Sequence, residues 1–216
     1  MSTIEIPDVV IQRLPLYVRV LAGALSHGTK VISSKDLGDI LQITPAQIRK
    51  DLSYFGRFGK QGRGYNVRFL RDELRQILGL DQVWPACLVG VGRLGEAIIN
   101  YPGFIPEGFN ILAAFDSDDK SVGRMVGDLR VDSISNLYEI IQSKCIRIGI
   151  VAVPASDAQW VIDKLVSSGV TGILNYAPIS AQVPNDAFVR NLDPVLSLQS
   201  MTFYLTKGNE TSADAI

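Results

Sequence analysis

Gly90-Val91-Gly92-Arg93-Leu94-Gly95 directly follows the short apolar run 86–89, and its three glycines have the spacing GxGxxG. In dinucleotide-binding folds the first glycine makes the turn after a buried strand. The second lets backbone amides approach a pyrophosphate, and the third allows the next helix to pack closely. We predict a strand at 86–89, a helix at 96–101 and a second strand at 111–115. The motif is weak alone, but this context predicts a Rossmann domain with all six turn residues at a cofactor.

Asp116 ends the second predicted strand, about twenty residues beyond the glycine turn. An acidic side chain at this point accepts hydrogen bonds from both ribose hydroxyls and repels a 2′-phosphate. Asp118 and Asp119 add further negative charge nearby. We therefore predict NADH and NAD⁺ as ligands rather than the 2′-phosphorylated dinucleotides. The alternative is that Asp116 only caps a turn.

The rest of the C-terminal half continues the alternation of strands and helices. The predicted segments are a strand at 146–153, a helix at 157–167, and strands at 172–175 and 188–192. This order predicts a doubly wound parallel sheet. Val153-Pro154 and Asn175-Tyr176-Ala177-Pro178 fall at the carboxyl ends of strands, where ligands bind in such sheets. We predict that they line the nicotinamide half of the site.

Charge divides the 216-residue chain into two different halves. Residues 1–80 carry 12 Lys and Arg against 7 Asp and Glu, whereas residues 81–216 carry 9 against 15. A basic module fused to an acidic one is typical of a nucleic-acid reader joined to a sensing or assembly domain, because only one of them must attract phosphates. Chance scatter of surface charge is the alternative.

Two helices are predicted at the start of the basic half. Apolar residues recur at helical spacing from Leu14 to Leu25, and Gly28 stands where this helix would stop. Ser33 or Ser34 can cap a second, shorter helix. A third helix begins more clearly at Thr44, because a proline suited to the first helical position follows it.

This third helix has one apolar face and one polar face. Gln47 can reach back to Thr44 and close a capping box, while Ile48, Leu52 and Phe55 share the inward face. Three helices whose last presents donors and cations are typical of a helix-turn-helix, in which that helix lies in the major groove. An ordinary three-helix core with a solvated face has the same spacing.

Residues 56–65 favour the DNA-binding interpretation, because this strip combines glycines, cations and aromatic residues as a β-hairpin wing does. A fourth helix is predicted at 69–80. The residues predicted to contact DNA are Gln47, Arg49, Lys50, Ser53, Tyr54, Arg57, Lys60, Arg63 and Tyr65. We therefore expect a winged-helix domain at 1–80, a Rossmann domain at 81–193 and a C-terminal helix with its tail at 194–216.

The tail 196–205 is too apolar for a free chain end. We expect a helix that packs on a partner subunit, or else one that covers the sheet of its own chain. Cys87 and Cys145 lie in apolar runs and match no metal spacing, so both are predicted to be reduced core residues of a cytoplasmic protein. We predict no catalytic residue, no metal site and no association with a membrane.

The chain resembles the Rex family of redox-sensing transcriptional repressors over essentially its whole length. The stretches that carry the resemblance are Arg13-Leu14-Pro15-Leu16-Tyr17, residues 47–56, Gly64-Tyr65, Tyr101-Pro102-Gly103-Phe104 and residues 174–178. The resemblance implies a homodimer that binds double-stranded operator DNA when NADH is scarce and releases it when NADH binds. It also implies that C-terminal helices are exchanged between subunits.

The resemblance further assigns roles to single residues. Arg19, Tyr101 and Asp193 match residues with which the family couples the nucleotide site to the DNA-binding domain. Arg49 and Lys50 match its DNA-contacting positions. The chain departs from the family's usual pattern at Pro194, which stiffens the start of the C-terminal helix.

Two other functions are compatible with parts of the sequence. A small NAD-dependent dehydrogenase would share the glycine fingerprint, but His27, the chain's single histidine, lies in the basic module and not beside a predicted nicotinamide. A CoA-responsive regulator would keep the DNA reader and change the ligand, and Asp116 argues against it.

Overall fold

The structure is a computed structural model that describes residues 6–60 and 63–213, with side chains described for 6–59 and 63–206. The chain separates into two compact units, and the division falls between Gln82 and Val83. Separate clusters of buried apolar side chains form the core of each unit.

The N-terminal unit is a winged helix with four helices and a small sheet. Its helices are α1 (Asp8–Ser26), α2 (Ser34–Leu41), α3 (Pro45–Ser53) and α4 (Val67–Ile77). Its strands are β1 (Val31–Ile32), β2 (Gly59–Lys60) and β3 (Gly64–Asn66), in the antiparallel order β1-β3-β2. Side chains from all four helices, among them Leu21, Leu37, Ile48 and Leu70, fill the core.

Local signals in the sequence set most of these boundaries. The Ser33 hydroxyl accepts from the Asp36 amide at 3.1 Å, and the Asp36 carboxylate accepts from the Ser33 amide at 3.0 Å, which completes a capping box for α2. The Asn66 side-chain oxygen caps α4 by accepting a hydrogen bond from the Phe69 amide, without a reciprocal bond. Gly28, at φ +76°, follows the end of α1, as its position in the sequence predicted.

Helix α1 begins at Asp8, earlier than predicted, and is long and apolar enough to cross a membrane by length and composition. That property was not expected from the sequence. Leu14, Tyr17 and Leu21 on one face of α1 are each at most 1% exposed in the core of the N-terminal unit. Packing against the other helices therefore explains the apolar residues of this face, whereas Val9, Ile11 and Leu16 of α1 are exposed.

The C-terminal unit is a seven-stranded sheet in the order β10-β9-β8-β4-β5-β7-β6. Strands β4 to β10 are Trp84–Val89, Phe109–Asp116, Met125–Val126, Leu129–Ser133, Ile148–Val151, Gly172–Asn175 and Phe188–Asn191. Helices α5 to α8 are Arg93–Ile99, Leu137–Ser143, Ala155–Ser167 and Pro194–Ala213. All neighbouring strands are parallel except β6, which pairs antiparallel with β7. The order reverses at β4, the first strand of the unit, as in a Rossmann fold.

Alternating side chains of the central strands enter two cores. Cys87 and Val89 of β4 belong to the core that contains α6 and α7, while Leu88 belongs to the core that contains α5. This alternation is the signature of a sheet covered on both faces. The predicted combination of a winged helix with a doubly wound parallel sheet is confirmed.

Four elements and one side chain differ from the sequence-based expectations, and the two-residue strands β1 and β6 are among the elements that were not predicted. Helix α6 was also missed, and so was β7, because only Val131 of β7 is buried and the short run Leu129–Ser133 alternates with charged residues. Cys87 is buried, and burial raises the pKa of its thiol to about 12. Cys145, in contrast, is exposed and has φ +49°, so it is a turn residue and not the core residue that was predicted.

Candidate functional site

Helix α3 presents the predicted reading face of the N-terminal unit. The Thr44 hydroxyl accepts from the Gln47 amide at 3.2 Å and Pro45 occupies the first turn, while Ile48 and Leu52 anchor the inward face. Arg49, Lys50 and Ser53 are exposed, and Tyr54 is half-buried. The helix thus exposes its polar face, where Arg49 donates to the Ser34 hydroxyl at 3.0 Å, while its apolar face fixes it to the core.

Asp51 is the fully buried carboxylate at the centre of this unit, at 0% exposure. Arg13 donates to it from Nε at 2.6 Å and from Nη2 at 2.8 Å, and the Tyr17 hydroxyl donates at 2.6 Å. Gln47 donates from Nε2 at 2.7 Å. Gln47 therefore does not close the predicted capping box, because its amide is directed to Asp51 instead. These bonds tie α3 to α1.

The pKa values within this cluster reflect the same contacts. Burial by itself would raise the pKa of Asp51, but hydrogen bonds from Arg13, Tyr17 and Gln47 outweigh it and hold that pKa below its ordinary value. Burial first, and then the hydrogen bond to Asp51, raise the pKa of Tyr17. Asp51 is therefore an ionised acceptor at neutral pH.

The wing follows α3 as predicted by its glycines. Gly64 has φ +71°, and a Cβ there would lie 2.8 Å from the Ile32 carbonyl oxygen, so the hairpin requires glycine at this position. Arg57 and Arg63 are exposed. Tyr65 is half-buried, and burial raises the pKa of its hydroxyl, while the nearby Arg49 acts in the opposite direction. The Lys60 side chain, also predicted to contact DNA, lies outside the described residues.

The three glycines of the turn after β4 have different surroundings and therefore different roles. Gly90 has φ +97°, and a Cβ there would lie 2.5 Å from the Ala152 carbonyl oxygen. A Cβ on Gly95 would lie 2.1 Å from the Gly90 carbonyl oxygen, so Gly95 lets α5 pack on the turn. A Cβ on Gly92 would meet no atom within 4 Å. Gly92 therefore leaves room in front of the first turn of α5, where a pyrophosphate fits.

Asp116 supports this turn and also faces the cleft beside it. Its Oδ2 accepts from the Val91 amide at 2.7 Å, and its Oδ1 accepts from the Asp118 amide at 2.9 Å. Each carboxylate oxygen has a second lone pair, so the turn-capping role and ribose recognition are compatible. Arg124, which the sequence analysis did not identify, donates to the Val91 carbonyl at 3.2 Å and pairs with Glu96 at 2.6 Å.

A cleft of about 440 Å³ joins these groups. Of the predicted cofactor-binding residues, it is lined by Gly90, Gly92, Asp116, Val153 and Pro154. Val153 and Pro154 line the same cleft as Gly92 and Asp116, and their place beside the nicotinamide half stays a prediction. Sequence reasoning missed the other lining residues, which are Val89, Ser117, Ile134, Ala152, Ser156, Asp157, Trp160 and Val161.

Other predicted residues lie around the glycine turn, at the end of β9 or directly after it, and do not line this cleft. Val91 is buried, Arg93 and Leu94 are exposed at the start of α5, Tyr176 is half-buried, Ala177 is buried and Pro178 is exposed. The buried Asn175 amide donates to the Ala177 carbonyl and to Asn191 Oδ1, both at 2.9 Å, while its oxygen accepts from the Ala177 amide. Its polar atoms thus hold the end of β9.

The three residues expected to couple the sites occupy separate places. Arg19 is exposed on α1 of the N-terminal unit. Tyr101 follows α5, is 58% exposed and lines a second cavity of about 320 Å³, where its ring meets Phe104 edge-on at 5.2 Å. Asp193 caps α8 through the Val195 amide at 2.9 Å. No described contact joins Tyr101 to Asp193 within the C-terminal unit.

Comparisons with known proteins match both units. A family model described as "Putative DNA-binding protein N-terminus" matches residues 5–53, and one described as "CoA binding domain" matches residues 81–179. A redox-sensing transcriptional repressor Rex from Chloroflexus aggregans is 52% identical over 93% of this chain and 95% of its own. The chain belongs to the Rex family of redox-sensing transcriptional repressors.

Solved structures agree with this assignment. A crystal structure of RSP in complex with β-NAD⁺ and operator DNA has a TM-score of 0.90 and 37% identity, and the match covers 97% of this chain and 96% of that one. A structure of RSP with β-NADH has a TM-score of 0.87 and 35% identity over 96% of this chain and 97% of that one. The relatives thus extend over both units.

Proposed function

We propose that the chain is a transcriptional repressor that binds operator DNA when NADH is low and is released by NADH. The observation that carries the proposal is the open space at Gly92 beside the Asp116 carboxylate, in a chain that also holds a winged helix. Relatives crystallised with dinucleotide and with operator DNA support the same combination. A repressor acts where the chromosome is, so we place it in the cytoplasm.

The cleft favours NADH and NAD⁺ over their 2′-phosphorylated forms. The α5 end of the glycine turn would hold the pyrophosphate and Asp116 the adenosine ribose, because backbone amides attract anions while a carboxylate accepts from hydroxyls. Asp118 and Asp119 follow Asp116 closely in the sequence and add negative charge to the segment after it. When bound, the dinucleotide supplies the redox signal, since its reduced and oxidised forms differ in charge and shape at the nicotinamide.

A binding role agrees better with the side chains than an enzymatic one. Hydride transfer to a carbonyl needs a proton donor beside the nicotinamide. His27 lies at the end of α1, in the N-terminal unit. Tyr101 lines a different cavity, and burial raises the pKa of Tyr176, which makes it a weaker acid. We therefore propose that the chain senses the dinucleotide without catalysing its oxidation.

Helix α8 supports assembly as a homodimer. Large apolar side chains on this helix are more than half exposed, and they are Val195, Leu196, Leu198, Met201, Phe203, Tyr204 and Leu205. A helix that is apolar on all sides must be covered by protein. A second copy of the chain is the partner that the resemblance to the Rex family implies, with the two helices exchanged. Two copies would also present two reading helices to a two-fold symmetric operator.

Linkage determines how such a switch works. NADH can release DNA only if it binds the DNA-incompetent state more tightly than the DNA-bound state. DNA must then weaken NADH binding by the same factor. NAD⁺ competes with NADH for the same cleft. It opposes release because it lacks the preference of NADH for the DNA-incompetent state.

The test is an NADH titration of the protein on a duplex that it selects from a random library, with NAD⁺ at a fixed excess and release followed by fluorescence anisotropy. We expect NADH to release the duplex. Asp116→Ala should require about tenfold more NADH, because a hydrogen bond to a charged group is lost. Asp118→Ala is the matched control, since the Asp118 amide still donates to Asp116. A duplex that stays bound at saturating NADH would refute the proposal.

CoA is the second candidate ligand, because the family model that matches residues 81–179 is described as a CoA binding domain. Thermal-shift measurements with NADH, NAD⁺, NADPH and CoA compare the candidates directly. We expect NADH to stabilise the protein most. The largest stabilisation by CoA would favour the second candidate.

Trp160 offers an optical signal for ligand binding. It is 51% exposed, lines the cleft that contains Asp116, and is one of only two tryptophans in the chain. In Trp84→Phe, which leaves Trp160 alone, we expect NADH and ADP-ribose both to quench the emission, because both carry the adenosine half. In Trp160→Phe the emission of Trp84 should respond much less to ADP-ribose, since Trp84 lies at the other end of β4. Equal quenching in the two variants would contradict this placement.

A further inference from the structure

The Asp51 cluster fixes the orientation of one side chain on the reading face of α3. Gln47 lies in the first turn of α3, and the first residues of a recognition helix are those that meet base edges. Its Nε2 donates to Asp51 Oδ1 at 2.7 Å. A glutamine amide has two orientations, and they differ in whether the oxygen acceptor or the nitrogen donor faces the DNA.

The carboxylate decides between these two orientations. Asp51 is fully buried and takes two hydrogen bonds from Arg13 and one from Tyr17, so it is an ionised group that can only accept. A flipped Gln47 would point its carbonyl oxygen at this anion. Only the orientation with Nε2 toward Asp51 is compatible with the cluster. By covalent geometry, Oε1 then faces away from the buried carboxylate.

The orientation limits the bases that Gln47 can recognise. In the major groove guanine offers acceptors at N7 and O6 and thymine offers O4, whereas adenine offers the N6 amino donor next to the N7 acceptor. An outward oxygen needs a donor, and the second hydrogen on Nε2 remains for an acceptor. Adenine alone presents both groups on one base edge.

We propose, on the basis of the function proposed above, that Gln47 is a specificity-determining residue that reads one adenine per operator half-site, and that Asp51 presets it for this role. The cluster holds the amide before DNA arrives, so less side-chain entropy is lost on binding. Arg13 and Tyr17 act as positioning residues, because they contact Asp51 and not the base.

The first experiment compares the duplexes selected from a random library by the wild type and by Gln47→Met, both without NADH. Methionine keeps the length of the side chain but neither donates nor accepts as an amide does. We expect one A·T pair per half-site to lose its preference in Gln47→Met, while the other positions keep theirs. A motif that is unchanged, or a G·C pair at the affected position, would overturn the proposal.

The second experiment replaces the identified adenine by purine, which lacks the N6 amino group. Wild-type affinity should fall about tenfold, and the affinity of Gln47→Met should be the same for both duplexes. Gln12→Met is the matched control, since Gln12 also donates to an aspartate on an exposed helix face, that of α1. It should bind like the wild type. Equal losses on purine substitution in wild type and Gln47→Met would refute the contact.

The two proposals fail in different ways. A protein that selects no duplex at all would refute the proposed function, and this assignment with it. A protein that selects a motif and releases it with NADH, yet ignores the Gln47 substitution, would refute only the assignment of Gln47.

Discussion

Replacing Asp51 by alanine is expected to destabilise the N-terminal unit by about 3–5 kcal/mol, the usual cost of removing one partner from a buried ion pair. The change leaves Arg13, whose side chain is 19% exposed, without its counter-charge. It also leaves Tyr17 and Gln47 without their acceptor. Helices α1 and α3 then lose their polar connection within the core.

Hydrogen–deuterium exchange measures this effect in the intact chain. Amides of α1 and α3 should exchange much faster in Asp51→Ala, while those of β4 and β8 should keep their wild-type rates because they belong to the other unit. Asp72→Ala is the matched control, since the Arg71–Asp72 pair is exposed and such pairs contribute about 0–1 kcal/mol. Similar exchange in both variants would show that the buried cluster contributes little to stability.

The same cluster predicts a pH dependence. The pKa of Asp51 is lower in the folded protein than its ordinary value, because the hydrogen bonds from Arg13, Tyr17 and Gln47 outweigh burial. Its contribution to stability is therefore complete above about pH 4 and is lost as the pH falls through the folded pKa. Urea denaturation at a series of acidic pH values should show this loss in the wild type. Asp51→Asn should lack that component.

Features of the fold could be predicted where neighbouring residues in the sequence encode them, and not where they depend on contacts between distant residues. The glycine spacing at 90–95 and the caps at Ser33 and Thr44 are encoded within a few residues, and the predicted fold is confirmed around them. The Asp51 cluster joins residues 38 positions apart, and an aspartate on a helix ordinarily indicates a solvated face. Its role could not be predicted without the packing of α1 on α3.

Long-range contacts also explain what was missed around the cleft. Trp160 looks like a surface residue of α7, and it lines the cleft because Ile134, directly after β7, and Asp116, at the end of β5, line the same cleft. Asn175 sits where a ligand contact is expected, yet its amide is engaged by Ala177 and by Asn191, 16 residues away. In both cases the sheet order, rather than any motif, sets the environment.

Gly92→Val should abolish the response to NADH while the protein remains folded. The backbone of Gly92 has φ −81° and ψ −167°, which any residue adopts, and a Cβ there meets no protein atom. The loss of a helix-capping glycine costs at most about 1 kcal/mol. The valine side chain instead fills the space in which the pyrophosphate would approach the backbone, so NADH affinity should fall roughly a hundredfold or more. DNA binding should persist at NADH levels that release the wild type.

Gly95→Ala gives the opposite result if the glycines have the roles described. Its Cβ would lie 2.1 Å from the Gly90 carbonyl oxygen, a backbone atom that cannot rotate away, so we expect a loss of about 1–3 kcal/mol in unfolding free energy. Calorimetric titration with NADH and thermal melts of the two variants separate ligand binding from folding. If Gly92→Val bound NADH like the wild type, the pyrophosphate could not lie at this turn. If both variants instead lost unfolding free energy to a similar extent, both glycines would serve packing. The two positions differ in function only if a ligand occupies the empty space at Gly92, since the space at Gly95 is already filled by protein atoms.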